Sequence, residues 1–297
     1  HGGDFTQNEK AQKIVSGPIE VSSNNLAYKM DRVFRIGGKP MKQLSEQEVL
    51  FFKKEGYLIK RQIMDPKLMT RARERMWANA PAHIRPDAPD TWIGPIEPYR
   101  DDHGNVRGGY SWKFRQIGGE GWIIRMLATD PAIWQMVEQL LGIGNVTVPD
   151  RIRGIYCILP QGDVLEKPTT CHTDGHPFHL GVVGYIDDVQ PGGGGFIVWP
   201  KSHRRFYFDF NSSHRSEPTE KHQQDIDHFN HQPYIDCHGQ AGDIVFWHHR
   251  LAHAAGHNRS RQIRKAVLYD FRRKDMEQVM EEPPSQDMWR DWPGVPS

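Results

Sequence analysis

The sequence predicts a mainly β protein with flanking helices, and two observations carry that expectation. Clear helix signals stand only in the N-terminal half. From about residue 150 onward the segments "RIRGIYCIL", "HLGVVGYID", "GFIVWP", "YIDC", "DIVFWH" and "RKAVLYDF" follow one another, rich in β-branched and aromatic residues and separated by Pro, Gly and Asp. Helices first and many strands afterwards is the order of an antiparallel β-sandwich or open barrel whose early helices buttress one sheet. A chain of 297 residues accommodates one such unit.

Each element has a local cause. Residues 1–44 show no clear period and are expected to form an N-terminal arm. Ser45 and Glu48 form a capping box, and Gly56 stops the helix that they start. Tyr57 to Ile63 reads as a short strand. Asp65 then caps a second helix, with Pro66 in its first turn, through about Ala80. Residues 81–122 are rich in Pro and Gly, yet carry Trp92, Tyr99, Tyr110, Trp112 and Phe114 among Arg100, Arg107, Lys113 and Arg115. Long irregular segments of this kind are often functional; the competing reading is a loop whose aromatics patch the core. Asp130 and Pro131 open a third helix that Gly142 ends. Residues 204–233, polar and rich in His, are expected to be an exposed insertion or lid. The expected organisation is therefore an arm (1–44), a core domain (45–275) with lid insertions at 81–122 and 204–233, and a C-terminal tail (276–297).

Composition narrows the function classes. Lys and Arg number 38 against 37 Asp and Glu, a net charge of +1, which is no nucleic-acid footprint. Aromatics at 10%, with nine Trp, argue for a packed core. Cys157, Cys171 and Cys237 are odd in number and widely spaced, so no disulfide framework is expected and a reducing, cytoplasmic setting is. Apolar runs fall far short of the ~20 residues of a membrane helix, and the first thirty residues carry no signal-peptide pattern. The chain opens at His1 rather than Met, so a targeting signal could precede it.

The chemistry concentrates in "TTCHTDGHPF", Thr169 to Phe178. In extended backbone, residues two apart point the same way, so His172 and Asp174 can reach one ion. A third ligand is available in "GDIVFWHHRLAHAAGHN", which offers His248, His249, His253 and His257. Two imidazoles and one carboxylate make a facial triad, the arrangement of non-haem Fe(II) oxygenases. His-x-Asp alone is weak, since a loop histidine bonded to a neighbour gives the same tripeptide. "PGGGGFIVWPKS" superficially suggests a phosphate loop, but Pro200 stands before Lys201 where such a loop needs Gly; Gly192–Gly195 is read as a turn between strands.

"CHTDGHPFHLGVVGYIDDVQPGGGGFIVWPKSHR" followed by "GDIVFWHHRLAHAAGHNRSRQIRKAV" resembles the phytanoyl-CoA dioxygenase family of Fe(II)/2-oxoglutarate oxygenases. The shared pattern is His-x-Asp, a strand, a Gly-rich turn, a strand ending in Pro-x-Ser-His, then Gly-Asp. In the family the distal histidine follows ten residues after that Asp and an arginine eleven later; here Gly242-Asp243 leads to His253, and His253 to Arg264. Gly256, Asn258 and the opening "EQEVLFFKKEGYLIK" also fit, so the likeness spans about residues 45–273, loosely in the middle. One departure is Ala255, where a small polar residue is common.

The resemblance implies a double-stranded β-helix (jelly-roll, cupin-like) core. It implies Fe(II) on His172, Asp174 and His253, 2-oxoglutarate with its far carboxylate on Arg264, and O2 as oxidant. The implied reaction is hydroxylation of an unactivated C–H bond of a small molecule, with release of succinate and CO2. The carboxylate of Asp174 argues against the related halogenases, which lack it; desaturation and ring formation stay open. His248 and His249 are expected to line or flank the barrel, and His176 and His179, which follow the His-x-Asp turn, to lie behind the ligands or in the next strand. Trp92, Tyr110, Trp112, Lys113 and Arg115 are candidate substrate contacts. The cations among them point to an anionic or carboxylate-bearing substrate, unless they are solvated surface charge. The expected partners are thus a small molecule, no nucleic acid and no membrane, in a monomer or homodimer. A metal-dependent hydrolase or isomerase on a cupin-like barrel is the alternative, with a non-catalytic ligand-binding barrel as another. Neither needs a buried arginine eleven residues past its ligand.

Overall fold

The computed structural model describes residues 43–101, 104–163 and 168–296, so nearly all of the arm expected over 1–44 lies outside the described residues. Helix α1 (Glu46–Glu55) begins where its sequence says it should: Ser45 Oγ accepts from the Glu48 N–H, and Glu48 Oε2 accepts from the Ser45 N–H. Gly56, at φ +83°, ends it and turns the chain into β1 (Tyr57–Lys60). Asp65 caps α2 (Pro66–Ala78), and Asp130 caps α4 (Pro131–Leu141) by accepting from two N–H groups of its first turn. Between them lies the short α3 (Gly121–Met126).

The strands after residue 150 are β5 (Ile155–Ile158), β6 (Leu180–Tyr185), β7 (Phe196–Val198), β8 (Ile235–Asp236), β9 (Ile244–His248), β10 (His253–Ala255) and β11 (Arg264–Phe271). A six-stranded antiparallel sheet runs β1-β9-β6-β11-β5-β4, where β4 is Ser111–Phe114, and a three-stranded one β10-β7-β8. Inner-face residues Val183, Tyr185, Val245, Trp247, Ala266 and Leu268 of the large sheet share one apolar core with Phe196 and Val198 of the small sheet. The two sheets thus form the jelly roll, or double-stranded β-helix. β6 and β9 are buried along their whole length, which explains their continuous apolar runs. Gly181, paired with Trp247, leaves room for the indole; a Cβ there would lie 2.1 Å from the ring.

Three expected segments differ in the structure. Residues 81–122 are not simply an irregular loop: β2 (Ile96–Arg100) and β3 (Val106–Gly109) form a hairpin, and β4 (Ser111–Phe114) is an edge strand of the large sheet. Its Gly-rich flank hid the strand. Residues 204–233 are not merely exposed. With α5 (His203–Phe206) and α6 (Lys221–Asn230), they bury Phe206, Phe210 and Phe229 against Ile197 and Trp199 on the outer side of the small sheet. The tail, including α7 (Met276–Val279), packs down as well: Trp289 and Trp292 are buried, with ring centroids 5.9 and 5.5 Å from Phe52 of α1. Among the described residues no helix is long and apolar enough to cross a membrane.

Candidate metal centre

The site forms where the His-x-Asp segment pairs with β10. His172 N–H donates to the His253 carbonyl and His253 N–H to the His172 carbonyl, each at 3.0 Å, an antiparallel bridge. The two imidazoles therefore lie side by side, with centroids 4.5 Å apart. Asp174 comes round onto the same side, with Oδ1 4.0 Å from His172 Nε2 and Oδ2 3.6 Å from His253 Nε2. One ligand atom from each residue lies within 4.8 Å of the others. β10 itself is held by β7, with His253 opposite Val198, and Phe196 packs on the His253 ring at 5.2 Å.

The polar contacts suit a divalent ion. His253 Nδ1 lies 2.9 Å from the Leu251 carbonyl. That contact places a proton on Nδ1 and turns Nε2 toward Asp174. His172 is pushed down to about 4 by desolvation, with His253, Arg153 and Lys113 adding and Asp174 opposing; the 58% of its side chain open to the cleft tempers the shift. It is neutral near pH 7. At Asp174 burial acts upward, but His253, Arg153, His176 and His172 outweigh it and hold the carboxyl well below the usual range. Two imidazoles and a carboxylate are the donor set of a facial-triad metal site.

A cavity of about 210 Å³ opens in front of the three residues. One wall is the inner face of the large sheet, with Ser111 and Lys113 of β4, Tyr156 and Ile158 of β5, Arg264 and Leu268 of β11, Val183 and Trp247; Phe196 of the small sheet faces it. Arg264 is 7% exposed. Its Nε donates to the Gly194 carbonyl at 2.7 Å and its Nη1 to the Tyr156 carbonyl at 3.2 Å, and no carboxylate pairs with it among the described residues. Burial lowers its pKa, yet a guanidinium keeps its charge. Lys113, its Nζ 4.7 Å from the Tyr156 ring centre, is pushed down to about 8 by burial, then by Arg107, Arg115 and Arg153.

The other sequence candidates fall elsewhere. Trp92 packs on Trp77 and Trp112 on Phe114; neither they nor Tyr110 line this cavity. Alternation along β4 turns Ser111 and Lys113 inward and Trp112 and Phe114 outward. Arg115 faces an adjoining hollow and pairs with Asp101 at 3.4 Å. No residue of 204–233 lines the cavity, although Arg215, Ser216 and Glu217 line a hollow beside Gly175. His248 and His249 lie outside the cavity, buried with His179, His203 and His214 beneath Trp289 and Trp292.

Two residues escaped sequence reasoning. Arg153 Nη2 donates to Asp174 Oδ2 at 3.1 Å and its Nε to Asp270 Oδ2 at 2.7 Å. Asp270 had a signal: the period of two along β11 puts residues 264, 266, 268 and 270 on one face. Arg153 had none, because its partner carboxylates are set by tertiary contact.

The family model "Phytanoyl-CoA dioxygenase (PhyH)" matches residues 167–266, which hold His172, Asp174, His253 and Arg264. Among solved structures, SnoK, a non-haem alpha-ketoglutarate-dependent carbocyclase from nogalamycin biosynthesis, is similar at 19% identity and a TM-score of 0.54, over 85% of this chain and 98% of that one. EctD from S. alaskensis, solved with 2-oxoglutarate and 5-hydroxyectoine, is similar at 16% identity and a TM-score of 0.51, over 81% and 80%. The epimerase SnoN, solved with Fe3+, alpha-ketoglutarate and nogalamycin RO, shares 18% identity at a TM-score of 0.50, over 85% and 91%. No curated protein matches the chain by sequence.

Proposed function

We propose that this chain, with its phytanoyl-CoA dioxygenase-like domain, is an Fe(II)- and 2-oxoglutarate-dependent oxygenase that hydroxylates a C–H bond of an anionic small molecule. One observation carries the reading. Two imidazoles and a carboxylate converge at a cavity whose wall also holds a buried arginine with no acidic partner among the described residues. His172, Asp174 and His253 are the residues that would hold the iron. When bound, iron and 2-oxoglutarate supply the oxidising power, with O2 consumed and succinate and CO2 released as the substrate is hydroxylated.

The rest falls to the chain's own residues. Arg264 offers the far carboxylate of 2-oxoglutarate a fixed, always-charged donor set. Lys113, on the same wall and without an acidic partner among the described residues, selects a substrate that carries negative charge. Val183, Phe196, Trp247 and Leu268 line the cavity with apolar surface and limit the water near the reacting carbon. The neighbouring solved structures include a carbocyclase and an epimerase; hydroxylation is the outcome proposed for this chain. Hydrolase or isomerase chemistry would leave Arg264 without a task.

The test is succinate release. The protein is incubated with Fe(II), 2-oxoglutarate and a panel of amino acids, amines, carboxylic acids and acyl thioesters, and succinate is measured with the mass of each panel member. The reading expects succinate that depends on Fe(II), rises with an anionic panel member and disappears in His253→Ala, with a mass gain of one oxygen. Folded, iron-loaded protein that turns over no 2-oxoglutarate under any condition would contradict it.

A further inference from the structure

A second group of possible ligands adjoins the first and shares one of its members. Asp174, His176 and Asp270 also bring ligand atoms within 4.8 Å of one another. Two ligand sets with one common carboxylate would compete for a metal ion, and Asp174 could turn toward either. The structure holds Arg153 among them. Its Nη2 lies 3.1 Å from Asp174 Oδ2 and 3.1 Å from His176 Nε2, and its Nε donates to Asp270 Oδ2 at 2.7 Å. His176 Nε2 is also 2.9 Å from Asp270 Oδ2; one ring nitrogen cannot both accept from Arg153 and donate to Asp270, but either assignment leaves Arg153 on both carboxylates.

We infer that Arg153 is a positioning residue: it fixes Asp174 toward His172 and His253 and keeps a metal ion out of the adjoining Asp174–His176–Asp270 group. The inference rests on the metal-site reading above. Three features favour this role over a purely structural pair. The guanidinium is planar and always charged, so one side chain serves two carboxylates in fixed directions, which a lysine cannot do. It is itself seated in the sheet, its N–H donating to the Leu268 carbonyl at 2.9 Å as an extension of the β5–β11 pairing. It also neutralises Asp270, which lies on the same strand face as Arg264, so negative charge does not accumulate behind Asp174. Hydrogen-bond partners of ligating groups commonly set metal affinity in this way.

Co(II) titration followed by calorimetry and visible absorption separates the possibilities, using the whole chain and variants checked for folding by thermal melting. The parent should bind one Co(II) per chain, and His253→Ala should not. Arg153→Met should bind Co(II) roughly 10–100-fold more weakly at the first site, with an altered absorption spectrum or a second equivalent from the newly opened group. Adding Asp270→Asn to Arg153→Met removes a ligand from that group and should return the stoichiometry to one. Arg153→Lys should recover part of the affinity, and it stands in if Arg153→Met fails to fold. Parent-like affinity, spectrum and stoichiometry in Arg153→Met would overturn the inference alone. A parent that binds no Co(II), or that keeps it after His253→Ala, would overturn the metal-site reading with it.

Discussion

The main chains of His172 and His253 exchange two hydrogen bonds of 3.0 Å, so two histidines far apart in sequence are cross-strand neighbours. The geometry of the candidate metal centre is thus set by sheet pairing, with Asp174 brought to within 4.0 Å of His172 and 3.6 Å of His253.

Asp174→Asn keeps the shape of the side chain and removes its charge. Divalent-metal binding should be lost while the fold survives, since neither inter-sheet packing nor the His172–His253 bridge depends on that charge. Calorimetric titration with Co(II) alongside a thermal melt measures both; retained affinity would place the metal elsewhere.

Arg264→Ala should remove the proposed pairing with the far carboxylate of 2-oxoglutarate, worth roughly 2–5 kcal/mol, equivalent to about 30-fold or more in affinity. The Km for 2-oxoglutarate should rise by at least that factor with metal affinity unchanged. An unaltered Km would shift the assignment to another cation, Arg261 first.

Neighbours on β4 should behave differently because they face opposite ways. Lys113→Ala should depress substrate-dependent turnover and spare the slow, substrate-free consumption of 2-oxoglutarate. Trp112→Ala should instead cost roughly 3–5 kcal/mol of stability with substrate preference unchanged. Because Lys113 is pushed down to about 8, its charge fades as pH rises through that value, so the Km for an anionic substrate should climb above pH 8. A pH-independent Km would argue against the contact.

The buried histidines predict acid lability. Burial is the leading cause that lowers His203 to about 3 and His214 to about 4, and it moves His179, His248 and His249 in the same direction. An unfolded histidine titrates near 6.5. Below that pH the unfolded chain binds more protons than the folded one, so stability present above about 6.5 is lost progressively as pH falls toward about 3. His248 stacks on Trp292 at 5.2 Å, so Trp emission during urea unfolding at pH 7.5, 6.0 and 5.0 reports the change. A midpoint independent of pH would contradict it.

How much of this was legible follows from the range of each cause. The helices starting after Ser45, Asp65 and Asp130 were readable because their caps are local. The central strands were readable because burial on both faces forces unbroken apolar runs. β4 and the three-residue β10 were not: one emerges from a Gly-rich segment, and the other is defined by its partners rather than its composition. The ordered packing of 204–233 and 276–297 depends on aromatics meeting distant elements, as Trp292 meets Phe52. Within the site, His172 and Asp174 carry a spacing signal, Asp270 carries a strand-face signal, and Arg153 carries neither.

The most direct test of the central claim is calorimetric titration of 2-oxoglutarate into the protein with and without Mn(II), an ion that occupies such sites without starting turnover. The account predicts saturable binding of one 2-oxoglutarate per chain that requires the metal, is lost in His253→Ala and is weakened about 30-fold or more in Arg264→Ala. Binding that is indifferent to the metal, or that survives in His253→Ala, would contradict it.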